Sequence, residues 1–248
     1  MTTTTDCALS REEITRFHAD GYLGPYTLCS PDEMAVIRAK IDWIMTQKGP
    51  NAANPLPSRH MDQRTVYDLA AHPTIIDRIN SLMGPDLVLW ATYFWVKKPG
   101  DKEIPWHQDL NYWPIDPPLN LSAWIAIDEA TVENSCVNLI PGSHKKVLRH
   151  VKSSDEMAFQ EMAEGTSFEA KNIVNMVLKP GQFFIFSERT LHQSNANRSQ
   201  QRRLGMTCRF TVPFVEIKHD KLHAGHRAIV VRGTDHHQLN NYQPPPTE

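Results

Sequence analysis

The chain has 248 residues, with 28 acidic and 26 basic side chains and a formal net charge of −2 at pH 7. This near-neutral balance without a basic stripe argues against a nucleic-acid partner, and no window approaches the length of a transmembrane helix. The first six residues have neither the basic nor the apolar region of a secretory signal. We therefore predict a cytoplasmic protein with no nucleic-acid and no membrane partner.

The N-terminal part of the chain carries the signals of helices. Ser10 and Glu13 form a capping box, which predicts a helix that ends near residue 20. A second start signal at Ser30 predicts a helix that ends near Gly49, and apolar periodicity predicts a third helical segment over 66–83. We expect the helices of this region, residues 10–83, to pack on the outside of the remaining fold.

From residue 87 onward the sequence is rich in β-branched and aromatic residues separated by Pro and Gly turns, which is typical of strands. The predicted strands are 87–96, 104–109, 121–127, 136–140, 173–178, 182–187 and 204–212. Helices followed by strands favour an α+β fold, or a β-barrel with helices packed outside. We predict that residues 152–170 form a helix or a mobile insertion. Residues 217–248 are polar and His-rich, and we predict that they form a tail without a core.

The four cysteines suggest neither a zinc site nor a disulfide framework, because none of them form a C-x-x-C pair. We expect free thiols in a reducing cytosol. Cys136 and Cys208 lie in apolar, strand-like runs, so we predict that they are small core residues.

Three residues form a candidate metal site. His107 and Asp109 are two residues apart, so a strand would place both side chains on one face, and His192 follows a later strand and turn. Two histidines and one carboxylate are the ligands of non-haem Fe(II) sites that keep open coordination positions. The H-x-D triplet alone is a weak signal, because such pairs occur by chance and a chain with 12 histidines always offers a later one.

Longer motifs surround these residues, in a fixed order along the chain. They are SREEITRFHADGYL (10–23), PGDKEIPWHQD (99–109), SAWIAIDEATVENSCVNLIPGSHK (122–145) and GQFFIFSERTLHQSNANRSQQRR (181–203). The ordered set resembles the phytanoyl-CoA dioxygenase family of Fe(II)- and 2-oxoglutarate-dependent oxygenases. The sequence departs from the family pattern at Ser135, where the family commonly has Gly, which raises the question of whether this turn needs a positive φ.

The resemblance implies a double-stranded β-helix (a jelly roll or cupin-like barrel), mainly β with flanking helices, in one domain over residues 10–216. It implies His107, Asp109 and His192 as iron ligands, with 2-oxoglutarate and O₂ as co-substrates. It also implies that Arg203 anchors the distal carboxylate of 2-oxoglutarate. The neighbouring Arg202 would point to the opposite face of the strand, and we expect it to be a solvated charge.

Further residues are candidates for binding, each with a structural alternative. Trp124 and Tyr93 could hydrogen-bond 2-oxoglutarate or pack in the core, and Ser194 could reach its carboxylate or cap a turn. Asn111, Tyr112 and Trp113 directly follow the H-x-D triplet. They could position the substrate at the mouth of the pocket, or they could close the end of the barrel.

His144 and the histidines of the tail have structural alternatives that we favour over metal binding. We expect His144 to be a structural turn residue. The tail histidines, which we expect to be solvated, are His219, His223, His226, His236 and His237.

We predict an oxygenase that hydroxylates an unactivated C–H bond of a small molecule in natural-product or amino-acid metabolism. Halogenases that resemble this family have Gly or Ala at the carboxylate position, so Asp109 favours hydroxylation. The alternatives are a related halogenase, a desaturase or cyclase that uses the same iron chemistry, and a non-catalytic cupin-like ligand binder.

Overall fold

The structure, a computed structural model, describes residues 7–165 and 172–247. The first six residues and residues 166–170 of the predicted insertion lie outside these described ranges. The helices are α1 Arg11–Asp20, α2 Pro31–Ile44, α3 Arg64–Ala70 and α4 Pro73–Met83. None of the described helices is long and apolar enough to cross a membrane.

The ends of the helices follow the sequence signals. The Ser10 hydroxyl accepts a hydrogen bond from the Glu13 amide at 3.2 Å, and the Glu13 carboxylate accepts one from the Ser10 amide at 2.9 Å, which confirms the capping box. Gly21 ends α1 in the left-handed conformation, with φ of 82°. The second helix ends at Ile44, before the predicted end near Gly49.

The described strands form two main antiparallel sheets and two short ribbons. The strands are β1 Tyr22–Thr27, β2 Leu87–Lys97, β3 Ile104–His107, β4 Ile115–Asp116, β5 Leu121–Ala126, β6 Val137–Leu139, β7 His150–Lys152, β8 Glu161–Ala163, β9 Val174–Met176, β10 Gln182–Ser187, β11 His192–Ser194, β12 Arg203–Thr211, β13 Glu216–Ile217 and β14 Ile229–Arg232. The large sheet has the order β1-β10-β5-β12-β2-β14, and the small sheet has the order β3-β11-β6-β9. This mainly β architecture with flanking helices confirms the predicted jelly roll.

The large sheet is covered on both faces, and the alternation of side chains along its strands divides the core in two. On β10, Phe183 and Ile185 pack in the cluster that contains the buried helix residues, whereas Phe184 and Phe186 pack with residues of the small sheet. Because successive side chains of a strand point to opposite faces, one strand serves both layers. Burying one such aromatic side chain contributes about 1.5–3 kcal/mol.

Two parts of the described chain differ from the predicted elements. Tyr22–Thr27 is a strand that pairs with β10. It was not predicted, because Gly24 and Pro25 are unfavourable in the interior of a strand. The described part of the insertion is not a helix: β7 and β8 pair as an antiparallel ribbon. Cys136 and Cys208 are buried free thiols, as predicted.

The prediction of a tail without a core over residues 217–248 is wrong for the central part of this segment. Residues 229–232 form β14, which pairs with β2 at the edge of the large sheet, and Ile229 is buried in the main core. His226 is not solvated, since it is 2% exposed and its Nε2 donates a hydrogen bond of 2.8 Å to the Trp90 carbonyl. The polar composition of the segment hides these few inward-facing positions, so the boundary predicted at residue 216 does not separate a tail from the fold.

The role of β14 gives a first prediction. We expect Ile229→Ala to lower the free energy of unfolding by about 2–5 kcal/mol, because it leaves a cavity in the core. Leu239→Ala is the matched control, since Leu239 is 50% exposed. Urea unfolding followed by circular dichroism measures both variants. Equal stability of the two variants would show that this segment does not contribute to the core.

Candidate active site

The pairing of two short strands brings the predicted histidines together. Strands β3 and β11 are antiparallel neighbours in the small sheet, and His192 lies directly opposite His107. Asp109 does not belong to β3, which ends at His107; it begins a single 3₁₀ turn instead. The carboxylate therefore reaches the two imidazoles from a turn at the end of the strand, not by the strand alternation that the spacing predicted.

One ligand atom from each of the three side chains lies within 4.8 Å of the other two. Asp109 Oδ1 is 3.7 Å from His107 Nε2 and 3.8 Å from His192 Nε2. These separations are too long for direct hydrogen bonds, and they leave room for an ion between the three groups. His107 and Asp109 are 3% and 4% exposed, so the donors face each other in a buried environment.

Backbone carbonyls fix the orientation of both imidazole rings. His107 Nδ1 lies 2.8 Å from the Pro105 carbonyl, and His192 Nδ1 lies 2.9 Å from the Thr190 carbonyl. A carbonyl only accepts, so each Nδ1 carries the hydrogen and each Nε2 presents its lone pair to Asp109. Burial, followed by the neighbouring His192, holds the pKa of His107 well below its usual value, which favours the neutral form that binds a metal.

The donor set fits the predicted metal. Two neutral imidazoles and one carboxylate on one side of an ion are the ligands of non-haem Fe(II) enzymes, and the remaining positions stay open to the cavity. In the described part of the chain, His107, Asp109 and His192 form the one group of three or more such side chains that meets this spacing.

Gln108 fastens the turn between the two ligands to the rest of the fold. Its Nε2 donates to the Lys146 carbonyl at 2.7 Å and to the Arg189 carbonyl at 2.6 Å, and its Oε1 accepts from the Leu148 amide at 2.8 Å. The side chain is fully buried and does not line the metal cavity. Because all three bonds are to backbone, Gln108 holds the ligand turn in one position.

The three candidate ligands open onto a cavity between the two sheets. Its floor includes Arg203, Thr207 and Arg209, which are alternate residues on one face of β12. Gly205 lies on the same face, where a Cβ would come within 2.0 Å of the Trp124 ring. The glycine therefore makes the space that Trp124 needs to line the cavity.

Arg203 lies in this cavity, where it donates to backbone carbonyls and forms no ion pair with the described residues. It is 2% exposed, and its Nε donates to the Ser135 carbonyl at 3.1 Å. Burial lowers the pKa of Arg203 to about 10, so it remains a cation at pH 7. Ser135 has a φ of 80°, which answers the question that its departure from Gly raised: the turn does need a positive φ. That turn aims the Ser135 carbonyl at the arginine.

Ser194 is held at the same end of the cavity by Lys97. The Lys97 ammonium donates to the Ser194 hydroxyl oxygen at 2.9 Å and to the carbonyls of Ser194 and Asn195. Burial, followed by the charge of Arg203, lowers the pKa of Lys97 to about 7. Since the Ser194 oxygen already accepts a hydrogen bond, its own O–H is available to donate into the cavity.

Arg202 is not the solvated charge that we expected. Its guanidinium pairs with Asp128 at 2.8 Å and with Asp42 of α2 at 2.6 Å, on the helix side of the large sheet. The two adjacent arginines thus point to opposite faces of β12, and Arg203 alone of the pair lines the cavity. His144 is a structural residue, as predicted, with its Nε2 3.2 Å from the His18 carbonyl.

The remaining candidate binding residues lie in different places. Trp124 lines the cavity, with the Arg203 guanidinium 5.3 Å from its ring. Tyr93 lies outside the metal cavity, in an adjoining hollow that Arg203 also borders. Its ring is 4.4 Å from that of Trp95.

The three residues after the ligand turn do not line the metal cavity themselves. Asn111 donates to the Glu161 carboxylate at 2.8 Å and Tyr112 donates to the Glu161 carbonyl at 3.1 Å. Both therefore hold β8 against the cavity mouth. Trp113 lies beneath Arg209, whose guanidinium is 4.0 Å from the ring.

The sequence reasoning missed three prominent residues of the cavity wall: Trp95, Phe159 and Arg209. Arg209 could have been predicted from the sequence, because alternate residues along the strand from Arg203 lie on the same face and include it. Phe159 was not, since it lies on the loop between β7 and β8, where no periodic pattern applies.

The sequence profile of the phytanoyl-CoA dioxygenase family (PhyH) matches residues 17–205 of this chain. The chain belongs to this family. Among family relatives, it is 34% identical over 136 residues to dioxygenase lolE1 of Epichloe uncinata, covering 55% of this chain and 50% of that protein. It is 28% identical over 158 residues to human peroxisomal phytanoyl-CoA dioxygenase, covering 60% and 46%. The chain spans about half the length of these curated relatives.

Solved structures share the fold over nearly the whole chain. CytC3 with Fe(II) and alpha-ketoglutarate, another name for 2-oxoglutarate, is 25% identical, with a TM-score of 0.78 and coverage of 96% of this chain and 94% of that one. EctD from S. alaskensis, at 19% identity and a TM-score of 0.70, shows the fold alone. The family match and the solved structures therefore agree on the fold.

The position of Gln108 gives a second prediction. We expect Gln108→Leu to weaken Fe(II) or Zn(II) binding by about 10- to 100-fold, because the turn that carries Asp109 loses its backbone anchors. Competition with a chromophoric chelator measures the affinity. The control is Gln160→Leu, an exposed glutamine near the same opening. Unchanged metal affinity in the Gln108 variant would contradict its positioning role.

Proposed function

We propose that this protein is an Fe(II)- and 2-oxoglutarate-dependent oxygenase that hydroxylates an unactivated C–H bond of a small molecule. The observation that carries the proposal is the meeting of Asp109 with the Nε2 atoms of His107 and His192 at a cavity that also contains Arg203. Family membership supports the same chemistry.

The three candidate ligands, Arg203 and Ser194 each have a task in this proposal. His107, Asp109 and His192 hold Fe(II), which together with 2-oxoglutarate and O₂ supplies the oxidising chemistry. The overall reaction converts R–H, 2-oxoglutarate and O₂ into R–OH, succinate and CO₂. Arg203 binds the distal carboxylate of 2-oxoglutarate through a charge-assisted hydrogen bond, and the Ser194 hydroxyl donates to the same group.

Two further residues shape the co-substrate end. Trp124 lies against both Gly205 and the guanidinium of Arg203, so we propose that it limits the position of the 2-oxoglutarate chain. Tyr93 acts indirectly, by packing against Trp95. We propose that Asn111 and Tyr112 serve the substrate by holding β8 at the cavity mouth, and Trp113 by supporting Arg209.

The position of Asp109 favours hydroxylation over halogenation. Its carboxylate oxygen is nearly equidistant from the two imidazole Nε2 atoms, at 3.7 and 3.8 Å. A carboxylate in this position fills the coordination site that a halide would need. A non-catalytic ligand binder does not require such a metal site. Here the Nδ1 atoms of both imidazoles are held by backbone carbonyls, so that both Nε2 atoms face one carboxylate.

The proposal predicts that O₂-dependent formation of succinate requires Fe(II), 2-oxoglutarate and the three ligands. Asp109→Gly should lower succinate formation by more than about 100-fold. Loss of a residue that only supports a metal ligand costs up to about 100-fold, and the loss of a ligand should cost more. Succinate is measured by mass spectrometry after incubation with a panel of small carboxylic acids, amides and alcohols. A substrate product 16 mass units heavier indicates hydroxylation, and one 2 units lighter indicates desaturation or cyclisation.

Adjacent arginines supply a matched pair for the co-substrate site. Arg203→Gln should raise the KM for 2-oxoglutarate by about 10- to 100-fold, because a hydrogen-bonded charge is lost. Arg202→Gln removes the same group on the opposite face of the strand and should leave that KM unchanged. Undiminished succinate formation by Asp109→Gly, or equal KM values in the two arginine variants, would contradict the proposal.

A further inference from the structure

Four histidines that do not line the metal cavity lie together near the C-terminal end of the fold. Three of them, His219, His223 and His226, belong to residues 216–228, which begin with β13 and which we call the histidine loop. The His226 ring lies 5.0 Å from the ring of His219 and 5.3 Å from that of His223, as centroids. The fourth, His60, precedes α3 and acts electrostatically on His223 and His226. The proposed reaction gives none of them a task.

Two of these imidazoles form a hydrogen-bonded chain with a fixed direction. The Asn241 amide donates to His219 Nε2 at 3.1 Å, so neutral His219 carries its hydrogen on Nδ1. His226 Nε2 donates to the Trp90 carbonyl at 2.8 Å, so neutral His226 has its lone pair on Nδ1. The two Nδ1 atoms are 2.9 Å apart, and His219 therefore donates to His226. The chain joins the backbone of residue 241, through both rings, to the backbone of β2.

The hydrogen-bonded chain exists only while both rings are neutral. The one nitrogen of each ring that can take up a proton, Nε2 of His219 and Nδ1 of His226, already accepts a hydrogen bond. A proton on either atom places two donors against each other, so one link of the chain breaks. Because His226 is 2% exposed, burial also opposes its charge and lowers its pKa to about 4.

The titratable and charged groups around the pair offer little to balance a positive charge. His60 and His223 each have a buried Nε2 without a hydrogen-bond partner, and burial lowers the pKa of His60 to about 3. Arg227 acts on both rings of the pair as a further positive charge. Asp220 is the acidic group that acts on His219, and it is exposed, where water screens its charge. A proton on either ring is therefore weakly compensated, which the closed arrangement disfavours.

The histidine loop is fastened to the segment that follows the candidate metal ligands. At its start, β13 pairs with β4, and the Lys218 amide donates to the Pro114 carbonyl at 2.8 Å. Trp90, whose carbonyl ends the hydrogen-bonded chain, has its ring 5.9 Å from the ring of Trp113. Release of the loop would therefore free residues 114–116 from the contacts that hold them.

We propose that His219 and His226 form an acid-sensitive latch. While both rings are neutral, the latch holds the histidine loop on β2 and on residues 114–116. Uptake of one proton by either ring opens the latch and releases the loop from both. The latch needs neither a bound metal nor the proposed reaction, so it stands or falls separately from the proposed function.

The direction of the pH effect follows from the buried histidine. In the released loop His226 has the ordinary pKa of about 6.5, whereas in the closed loop its pKa is about 4. The stabilisation from the latch is complete above about pH 6.5 and is lost as the pH falls toward 4. Between about pH 7.5 and about pH 5, the ratio of released to closed loop should rise by about 10- to 30-fold.

Hydrogen–deuterium exchange of the full chain, followed by mass spectrometry at about pH 7.5 and about pH 5, tests this release. We expect protection factors, which correct for the intrinsic effect of pH on exchange, to fall by about 10- to 30-fold in residues 216–228. Strand β10 is the internal reference. At the lower pH it should stay at least about tenfold better protected than the loop, because the loop opens without global unfolding. Unchanged protection of the loop, or protection equal to that of β10 at the lower pH, would overturn the proposal.

Variants assign the effect to the two rings. His219→Gln and His226→Gln combined in one protein remove both titrating groups, and the change in loop protection between the two pH values should fall to less than about threefold. His236→Gln is the matched control, because His236 is an exposed histidine beyond β14, and it should keep the wild-type response. A full wild-type response in the double variant would overturn the proposal.

The directions of the hydrogen bonds can be measured in the wild-type protein, which does not depend on the folding of the double variant. Long-range proton–nitrogen correlation spectra of protein labelled at histidine distinguish the two neutral forms of an imidazole. At neutral pH we expect the hydrogen on Nδ1 of His219 and on Nε2 of His226, with the rings assigned from the single His→Gln variants. The opposite form of either ring, or a charged ring at neutral pH, would overturn the proposal.

Discussion

The antiparallel pairing of β3 with β11 is the constraint on which the site depends. Its register places His192 opposite His107, although 85 residues separate them in the chain. The other constraints act on this pair: carbonyl oxygens turn both rings, and Gln108 fixes the turn that brings Asp109 to them. A slip of one residue between the strands would move one imidazole to the opposite face and leave no site.

On strand β12, residues that stabilise the core point to one face of the sheet and residues that line the metal cavity point to the other. Leu204, Met206 and Cys208 pack in the core on the helix side. The intervening Arg203 and Arg209 face the metal cavity as buried cations. Because the apolar half of the strand is buried under the helices, the fold holds two costly charges in fixed places. Those charges are useful where ligands bring the opposite charge.

The sequence was sufficient for the parts of the structure that follow from local patterns. The capping box at Ser10, the strand 182–187 and the opposite orientation of Arg202 and Arg203 are all found. The candidate metal ligands were predicted from ordered motifs that span most of the chain, since the H-x-D spacing alone was weak. The reason given for Asp109 was incomplete, because the residue lies in a turn after the strand.

The missed features depend on contacts between distant segments. The edge strand β14 is paired with β2, which no local pattern in its polar surroundings indicates. The ion pairs of Arg202 join it to Asp42, 160 residues away. Phe159 reaches the metal cavity from a loop whose position is set by Asn111 and Tyr112 through Glu161. Such placements are decided by tertiary packing, which a single sequence does not display.

The most direct test of the central claim is an anaerobic titration of the Fe(II)-loaded protein with 2-oxoglutarate, followed by visible absorption. If His107, Asp109 and His192 hold iron with open positions beside Arg203, a charge-transfer band should grow and saturate at one 2-oxoglutarate per iron. Protein that binds iron and develops no band at any 2-oxoglutarate concentration would contradict the account.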